Sequence, residues 1–219
     1  MRRVLVTGAN RGIGLEFARQ YSAEGWDVVA TARSDAPELE VLDVRVERLD
    51  MRDFAAVEAF ARRLAAEPLD LLVANAGMSA GPRVDTCADA EAALETLAVN
   101  AVAPTLLARL LAPAVAASNG RMAAITSRMG SIADSSGGHL GYRASKAALN
   151  AAWYALAQDL GPRVPIVLLH PGWVKTDMGG PNAQIPPAES VAGMRRVIAT
   201  LAAGQTGAFL DHRGGAIPW

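Results

Sequence analysis

Short, apolar, β-branched segments alternate with longer segments of helical periodicity, and this alternation constrains the fold more than any other feature. Near-continuous apolar strands with helices between them are typical of a parallel sheet that is buried on both faces. The pattern therefore predicts a doubly wound α/β fold of the Rossmann type, with about seven strands and helices on both faces. The predicted strands cover residues 3–7, 27–32, 46–50, 70–75, 121–127, 164–170 and 206–211.

Helical periodicity fills the intervals between these strands. One predicted helix ends at Gly25, and a second covers residues 54–64 with Asp53 as its N-cap. A third covers residues 142–160, and apolar spacing marks a last one at 191–201. No repeat, low-complexity linker or change of composition divides the 219 residues, so we expect a single domain over residues 1–219.

The 21 basic and 22 acidic side chains nearly cancel, leaving a net charge of −1. This balance gives no electrostatic footprint for nucleic acid or for an anionic membrane surface. The apolar runs fall short of the ~18–20 residues that span a bilayer. A glycine turn follows the first seven residues, which leaves no room for the apolar region of a signal peptide. We therefore expect a cytoplasmic protein that binds neither nucleic acid nor membrane.

The residue types that ligate metals are sparse. Cys87 is the single cysteine, which excludes an intramolecular disulfide and a cysteine zinc site. His139, His170 and His212 are widely spaced, in a predicted loop, at a strand end and in the C-terminal segment. We therefore expect no metal site.

A glycine-rich turn follows the first predicted strand and opens directly into a helix. Its sequence is Thr7-Gly8-Ala9-Asn10-Arg11-Gly12-Ile13-Gly14. Glycines allow close approach of the backbone to a pyrophosphate, and the helix N-terminus offers unpaired N–H groups to it. Taken alone, the turn is also compatible with an ordinary βα connection.

Small and polar residues follow other predicted strands as well. Asn75-Ala76-Gly77 follows the fourth strand, Ser127 ends the fifth, and Pro171-Gly172 follows the sixth. Ligands of doubly wound sheets bind beyond the carboxyl ends of the strands. Several strand ends of this kind favour a dinucleotide site over an ordinary turn.

Tyr142 and Lys146 are four residues apart in the predicted helix over 142–160, so they share one face. The chain has three tyrosines and uses arginine for nearly all of its 21 basic residues, so this Tyr–Lys pair is rare by chance. A lysine among arginines indicates that a compact ammonium group is required. The alternative is a solvated pair on the helix surface.

These motifs together resemble the short-chain dehydrogenase/reductase family, in its compact C-factor and sniffer-like carbonyl reductase branch. The similar segments are TGANRGIG, ANAG, ITS, YRASK, PGWVKTDMGG and the closing GGAIPW, and they span essentially the whole chain in the family's order. Ala74 replaces the first Asn of the family's N-N-A-G motif. Ser127 and Tyr142 are about two residues farther apart than is usual, so the intervening loop is slightly longer.

The resemblance implies a catalytic tetrad of Asn100, Ser127, Tyr142 and Lys146, with Tyr142 as the general acid/base. Lys146 would hold the nicotinamide ribose, and Ser127 would hydrogen-bond the substrate carbonyl. The cofactor-binding residues expected from the matching motifs are Gly8, Asn10, Arg11, Gly12, Ile13, Gly14, Arg33, Asp50, Met51, Asn75, Ala76, Gly77, Tyr142, Lys146, Pro171, Gly172, Val174 and Thr176.

Elementary electrostatics predicts how the pair would act. A free phenol has a pKa near 10, too high for efficient proton transfer near pH 7. An ammonium group ~4 Å away, at an effective dielectric constant near 20, is worth roughly 4 kcal/mol or about 3 pK units. We therefore expect Lys146 to lower the pKa of Tyr142 into the working range, before the cost of desolvation is subtracted.

Pro104 gives Asn100 a second possible role. In an α-helix the N–H of residue 104 would donate to the Asn100 carbonyl, and proline has no N–H. We hypothesise that the free carbonyl holds a water linked to Lys146; the alternative is a simple kink in a long helix.

The end of the second strand predicts whether the cofactor carries a 2′-phosphate on its ribose. NAD-dependent relatives carry an acidic residue there that binds the ribose 2′-hydroxyl, whereas this chain has Ala32. Arg33 and Arg11 could converge on a 2′-phosphate, so NADP(H) is favoured over NAD(H). The alternative is that Arg33 is solvated and neutralised by Asp35.

The leading interpretation is an NADP(H)-dependent oxidoreductase acting on a small-molecule carbonyl or alcohol. A cofactor-binding signalling or regulatory protein of the C-factor type, with little turnover, is the alternative. A sugar-nucleotide epimerase would need a sizeable C-terminal substrate domain, and fewer than 50 residues follow Gly172. We expect a short substrate lid at about residues 177–190. The resemblance implies a homodimer or homotetramer in which the helices around Asn100 and Tyr142 pair, and a monomer, also found among compact carbonyl reductases, is the alternative.

Overall fold

The computed structural model describes residues 1–79, 81 and 83–219. In this part of the chain, parallel strands form one seven-stranded sheet in the order β3-β2-β1-β4-β5-β6-β7. The strands are β1 (Arg3–Val6), β2 (Asp27–Ala32), β3 (Arg45–Arg48), β4 (Leu71–Ala74), β5 (Arg121–Ile125), β6 (Ile166–His170) and β7 (Ala208–Asp211). Strand order reverses between β1 and β4, so the ends of these two strands form the crevice expected of a doubly wound sheet. The predicted fold class is confirmed.

Helices cover both faces of the sheet. They are α1 (Gly12–Ala23), α2 (Pro37–Glu40), α3 (Phe54–Leu64), α4 (Cys87–Leu97), α5 (Ala103–Ala117), α6 (Leu140–Leu160) and α7 (Pro187–Thr200), with a π-helical segment, Ala98–Val102, joining α4 to α5. One core cluster includes Phe60, Leu107 and Trp153 from α3, α5 and α6. The other includes Phe17 and Met194 from α1 and α7. Both faces of the strands are therefore buried, which explains why the strands lack polar alternation.

Several strands end earlier than predicted, and polar side chains just beyond these ends bind neighbouring segments. β1 ends at Val6, and the Thr7 hydroxyl then accepts hydrogen bonds from the N–H groups of Asn75 and Ala76, both at 3.0 Å. β3 covers Arg45–Arg48 instead of 46–50 and lies at the edge of the sheet. These ends open the crevice in which the candidate site lies.

Cys87–Ala117 forms a continuous helical stretch of 31 residues that is long and apolar enough to cross a membrane, unlike any run expected from the sequence. Most of its apolar window is buried inside the protein. Leu107, Leu111 and Val115 are fully buried in the core between this stretch and the sheet. The stretch is therefore a core helix.

Candidate active site

The glycine turn between β1 and α1 has the tight geometry that its sequence predicts. Gly8 and Gly12 have φ angles of +64° and +57°, in the left-handed region that favours glycine. A Cβ atom at Gly14 would lie 2.3 Å from the Gly8 carbonyl oxygen and 2.5 Å from Nδ2 of Asn75. The turn therefore has no room for side chains there, and it presents the N-terminus of α1 to the crevice.

Asn75 fastens the glycine turn to the end of β4. Its Nδ2 donates to the carbonyl oxygens of Thr7 at 2.9 Å and Gly8 at 3.1 Å. The sequence predicts Asn75 as a cofactor-binding residue, and the structure shows that its amide group supports the turn from behind. Both hydrogen bonds join residues of this chain and involve no ligand.

A cleft of about 1480 Å³ runs along the carboxyl ends of the strands. All of the predicted cofactor residues line it except Gly14, which lies behind the turn. Pockets for drug-sized ligands are typically about 300–1,000 Å³, so the cleft has room for a dinucleotide and a small substrate. The glycine cradle, the α1 N-terminus and the cleft dimensions fit the dinucleotide that the resemblance implies.

Ser127, Tyr142 and Lys146 meet in the middle of the cleft. Ser127 follows β5, and its hydroxyl accepts a hydrogen bond from the N–H of Met129 at 3.1 Å. Lys146 is 4% exposed, and its Nζ donates to the Ile125 carbonyl at 2.9 Å. That Nζ lies 5.8 Å from the centroid of the Tyr142 ring. The i,i+4 spacing thus places the phenol and the ammonium group at one point of the cleft.

The pKa of Tyr142 is raised in this structure, opposite to the lowering expected before desolvation is subtracted. Burial raises the pKa of the phenol above its usual 10, and the hydrogen bond with Ser127 opposes this only in part. Burial also lowers the pKa of Lys146 to about 8. Desolvation, which spacing alone does not reveal, is the largest cause of both shifts.

Asn100 lies just behind the cleft, on the π-helical segment. Its Oδ1 accepts from the N–H of Met78 at 2.8 Å, and its Nδ2 donates to the Met78 carbonyl at 2.8 Å and to Oγ of Ser145 at 2.9 Å. The side chain therefore connects the loop after β4 to α6, which the sequence argument about its backbone carbonyl missed. The helix around Asn100 is widened, with the Ala103 N–H donating to the Ala98 carbonyl five residues back, so the α-helical pairing assumed for Pro104 does not apply.

The two arginines predicted at the 2′-phosphate both line the cleft. Ala32 is buried at the end of β2, and Arg33 follows it. Nη1 of Arg11 lies 2.6 Å from Oδ2 of Asp177, in an exposed ion pair that crosses the cleft. The site therefore places positive charge beside a residue that cannot bind a 2′-hydroxyl.

We call the part of the cleft lined by Arg128, Asp134, His139 and Trp173 the substrate half. It includes residues that the motifs did not indicate. Arg128 follows Ser127, and its Nη1 contacts Oδ2 of Asp134 at 3.0 Å. Trp173 is 51% exposed, and its Nε1 donates to the Gly179 carbonyl at 2.8 Å. Position next to Ser127 is the sequence signal that could have identified Arg128. Trp173 follows Pro171-Gly172, and that position already indicates either a packing role or a wall of the pocket.

The segment expected to be the lid has two parts. Residues 177–186 form turns and a single bridge between Val174 and Ile185. Residues 187–190 belong to the first turn of α7, where the Ser190 hydroxyl donates to the Pro171 carbonyl at 2.6 Å. The end of the segment is therefore tied to the turn that follows β6.

A sequence profile of the short chain dehydrogenase family matches residues 2–185. The C-signal protein of Myxococcus xanthus is 42% identical over 166 residues, covering 74% of this chain and 100% of that protein. The carbonyl reductase Sniffer of D. melanogaster has a TM-score of 0.90 at 30% identity, with 100% of both chains covered. An NADPH-bound carbonyl reductase from chicken fatty liver has a TM-score of 0.87 at 34% identity, covering 100% of this chain and 99% of that one.

These similarities extend over the same strand order, glycine turn and Tyr–Lys helix that the structure shows. They include both the C-signal protein and carbonyl reductases, which correspond to the branch that the motifs resemble. The chain belongs to the short-chain dehydrogenase/reductase family of oxidoreductases, in its branch of C-factor and carbonyl reductase proteins.

Proposed function

We propose that this protein is an NADP(H)-dependent oxidoreductase that transfers a hydride between the nicotinamide and a carbonyl or alcohol substrate. The observation that carries the proposal is the meeting of Ser127, Tyr142 and Lys146 in one cleft that continues into the glycine turn. The chicken carbonyl reductase with bound NADPH, which shares the fold over the whole chain, supports it.

The bound cofactor supplies or accepts the hydride. In the direction of reduction, the Tyr142 hydroxyl donates a proton to the oxygen of the developing alkoxide, and the Ser127 hydroxyl donates a hydrogen bond to that oxygen. Loss of the proton leaves a phenolate, which the buried ammonium group of Lys146 stabilises. The pKa of Lys146, about 8, keeps that group charged at neutral pH.

The remaining predicted residues would hold the cofactor. The N-terminus of α1 and residues 8–14 would receive the pyrophosphate, and Arg11 and Arg33 the 2′-phosphate. Asp50 and Met51 would contact the adenine, and residues 171–176 the carboxamide of the nicotinamide. Residues 177–190 would form the substrate lid.

Replacement of Tyr142 with Phe tests the mechanism. The ring packing is kept and the transferable proton is lost, so turnover should fall by about two to four orders of magnitude. Oxidation of NADPH would be followed with a panel of aldehydes, ketones and quinones that includes 4-nitrobenzaldehyde. NADPH binding, measured by fluorescence titration, should survive because the glycine turn is untouched; unchanged turnover would contradict the proposal.

The cofactor preference is tested by exchanging residues 32 and 33. Each charge-assisted hydrogen bond to the phosphate is worth roughly 1.5–3 kcal/mol, so NADPH should be preferred at least tenfold in kcat/KM. Ala32→Asp combined with Arg33→Ser should shift the preference towards NADH. Equal efficiency of the wild type with both cofactors would contradict the role of the arginines.

The 42% identity to the C-signal protein favours one alternative function, a cofactor-binding signalling or regulatory protein. That function predicts NADPH binding without oxidation across the whole carbonyl panel. Turnover that depends on Tyr142 separates the two, because a regulatory binding module has no need of the proton.

A further inference from the structure

Arg143, next to Tyr142, holds the loop that borders the substrate half of the cleft. We call residues 131–139 the substrate-side loop. Nε of Arg143 donates to the carbonyl oxygens of Gly137 and Gly138, both at 3.0 Å, and Nη2 donates to Oγ of Ser136 at 3.0 Å. Its Nη1 also donates to the Met129 carbonyl at 3.4 Å. Every nitrogen of the guanidinium group is therefore engaged with the loop or its base.

The residues that Arg143 holds have an unusual conformation. Gly137, Gly138 and His139 are consecutive and have φ angles of +79°, +69° and +51°, all in the left-handed region. That conformation is costly for a residue with a side chain such as histidine. The peptide carbonyls of the two glycines converge on one guanidinium nitrogen, so the arginine stabilises a turn that is strained on its own.

This turn connects two parts of the candidate site. Asp134, Ser136 and His139 of the substrate-side loop line the cleft. α6 begins immediately after His139, whose carbonyl accepts from the Arg143 N–H at 2.9 Å, and Tyr142 lies in its first turn. The loop therefore forms one wall of the substrate half and leads directly into the helix that carries Tyr142.

The other half of the loop is fastened independently. The Ala133 N–H donates to the Trp219 carbonyl at 2.9 Å, and Asp134 pairs with Arg128. Loss of Arg143 should therefore release residues 136–139 without unfolding the whole loop. We therefore expect residues 136–139, which form one wall of the cleft, to become disordered. The part of the cleft lined by the predicted cofactor-binding residues should stay intact.

We propose that Arg143 is a positioning residue that fixes the substrate-side loop in its left-handed turn and thereby sets the affinity for the carbonyl substrate. The proposal rests on the proposed function only because it names a carbonyl substrate, since the conformation of the loop can be measured without turnover. A guanidinium group is required because it has donors on three nitrogens in a fixed plane, whereas an ammonium group is a single point.

Arg143→Met and Arg143→Lys test the role, with Arg62→Met as the matched control. Arg62 is an exposed arginine on α3 whose hydrogen bonds go to Glu58, and it does not line the cleft. Both Arg143 variants should raise the KM for 4-nitrobenzaldehyde, or for the best carbonyl of the panel, at least tenfold. They should change kcat less than threefold and the Kd for NADPH less than twofold, and the control should change none of these.

Gly138→Ala tests the strained turn itself. A Cβ atom at Gly138 meets nothing within 4 Å, so the substitution adds left-handed strain and no clash. It should reproduce the rise in KM, and combining it with Arg143→Met should raise KM by much less than the product of the two separate effects. If the two effects on KM multiplied in the double variant, Gly138 and Arg143 would act independently, which would contradict a shared role in holding the turn.

Hydrogen exchange tests whether Arg143 holds the loop, independently of any enzymatic activity. Peptides covering residues 135–139 should exchange faster in both Arg143 variants and in Gly138→Ala, and at the wild-type rate in Arg62→Met. Unchanged exchange, or restoration of the wild-type KM by Arg143→Lys, would overturn the proposal; restoration by Lys would indicate a charge contact with the substrate. Failure of the proposed function is distinguishable, because the wild type would then lack turnover while the exchange result still stands.

Discussion

Lys146 combines a buried environment with a hydrogen bond to the backbone carbonyl of Ile125. It is one of two lysines in a chain with 21 basic residues, and it packs beside Gly77, where a Cβ atom would lie 3.7 Å from its Nζ. Arginine carries a larger, planar head group with five donors, which this close site would have to accommodate. The compact ammonium group is therefore suited to the position, at a cost in desolvation that lowers its pKa.

This cost predicts a dependence of stability on pH. The folded-state pKa of Lys146, about 8, lies below the usual lysine value of 10.5. The cost is therefore fully present below pH 8 and is relieved as the pH rises from 8 towards 10.5. Relative to Lys146→Met, the wild type without cofactor should gain stability on the order of 2 kcal/mol between pH 7 and pH 10. Denaturant unfolding of both proteins at each pH measures it, and a difference that stays constant with pH would contradict it.

The sequence predicts the identities of the site residues better than their energetics. Spacing alone brought Tyr142 and Lys146 together, because an α-helix fixes the relation of residues i and i+4. The direction of the Tyr142 pKa shift depends on how much of the protein covers the ring, which local spacing does not contain. The amide contacts of Asn100 with Met78 and Ser145 likewise join segments that are distant in sequence.

At the scale of elements, the glycine turn, the end of β4 and the start of α1 form one unit. The Gly14 backbone sits against the Gly8 carbonyl and the Asn75 amide with no space for another atom. Alanine is the better helix former by about 1 kcal/mol, so a glycine inside α1 is explained by this close approach.

Gly14→Ala should therefore destabilise the protein by about 1–3 kcal/mol, since the new methyl group overpacks a site bounded by backbone. It should also weaken NADPH binding, because the turn must shift. Gly204→Ala is the matched control, as a Cβ atom there meets nothing within 4 Å. Thermal unfolding and fluorescence titration measure both effects; wild-type values for Gly14→Ala would contradict the rigid turn.

Element types were predictable from periodicity, but only some element ends were. The strand at 27–32 and the helix at 54–64 with Asp53 as its N-cap have the predicted bounds, whereas other elements do not. The helix over 142–160 begins two residues earlier, at Leu140, because the left-handed turn at residues 137–139 precedes it. The π-helical segment at Ala98–Val102 has no sequence signature beyond the following Pro104. Both features arise where tertiary contacts override local preference.

On the scale of the whole molecule, the surface formed by α4, α6 and the π-helical segment exposes several apolar side chains. Leu94 of α4 is 66% exposed and Val102 at the end of the π-helical segment is 47% exposed. Exposed alanines of α6, Ala151 and Ala155, offer a surface that permits close helix approach. This face suits the pairing of helices expected from the sequence.

We therefore expect a homodimer or homotetramer that uses this face. Light scattering at micromolar concentration should give a mass of two or four chains, and Leu94→Glu should reduce it because a carboxylate would be buried at the contact. Leu94→Ala, which removes bulk without adding charge, is the matched comparison. A monomer mass for the wild type would contradict the expectation.

The bonds from Asn75 to the glycine turn have a thermodynamic consequence. The turn is already ordered by its own chain, so a ligand that docks there meets groups whose backbone entropy was lost during folding. Association should then release heat without the large negative heat-capacity change that accompanies folding coupled to binding. In Asn75→Ala the turn would have to become ordered at the moment of binding. Calorimetry of this variant should therefore show a larger negative heat-capacity change on binding than the wild type does.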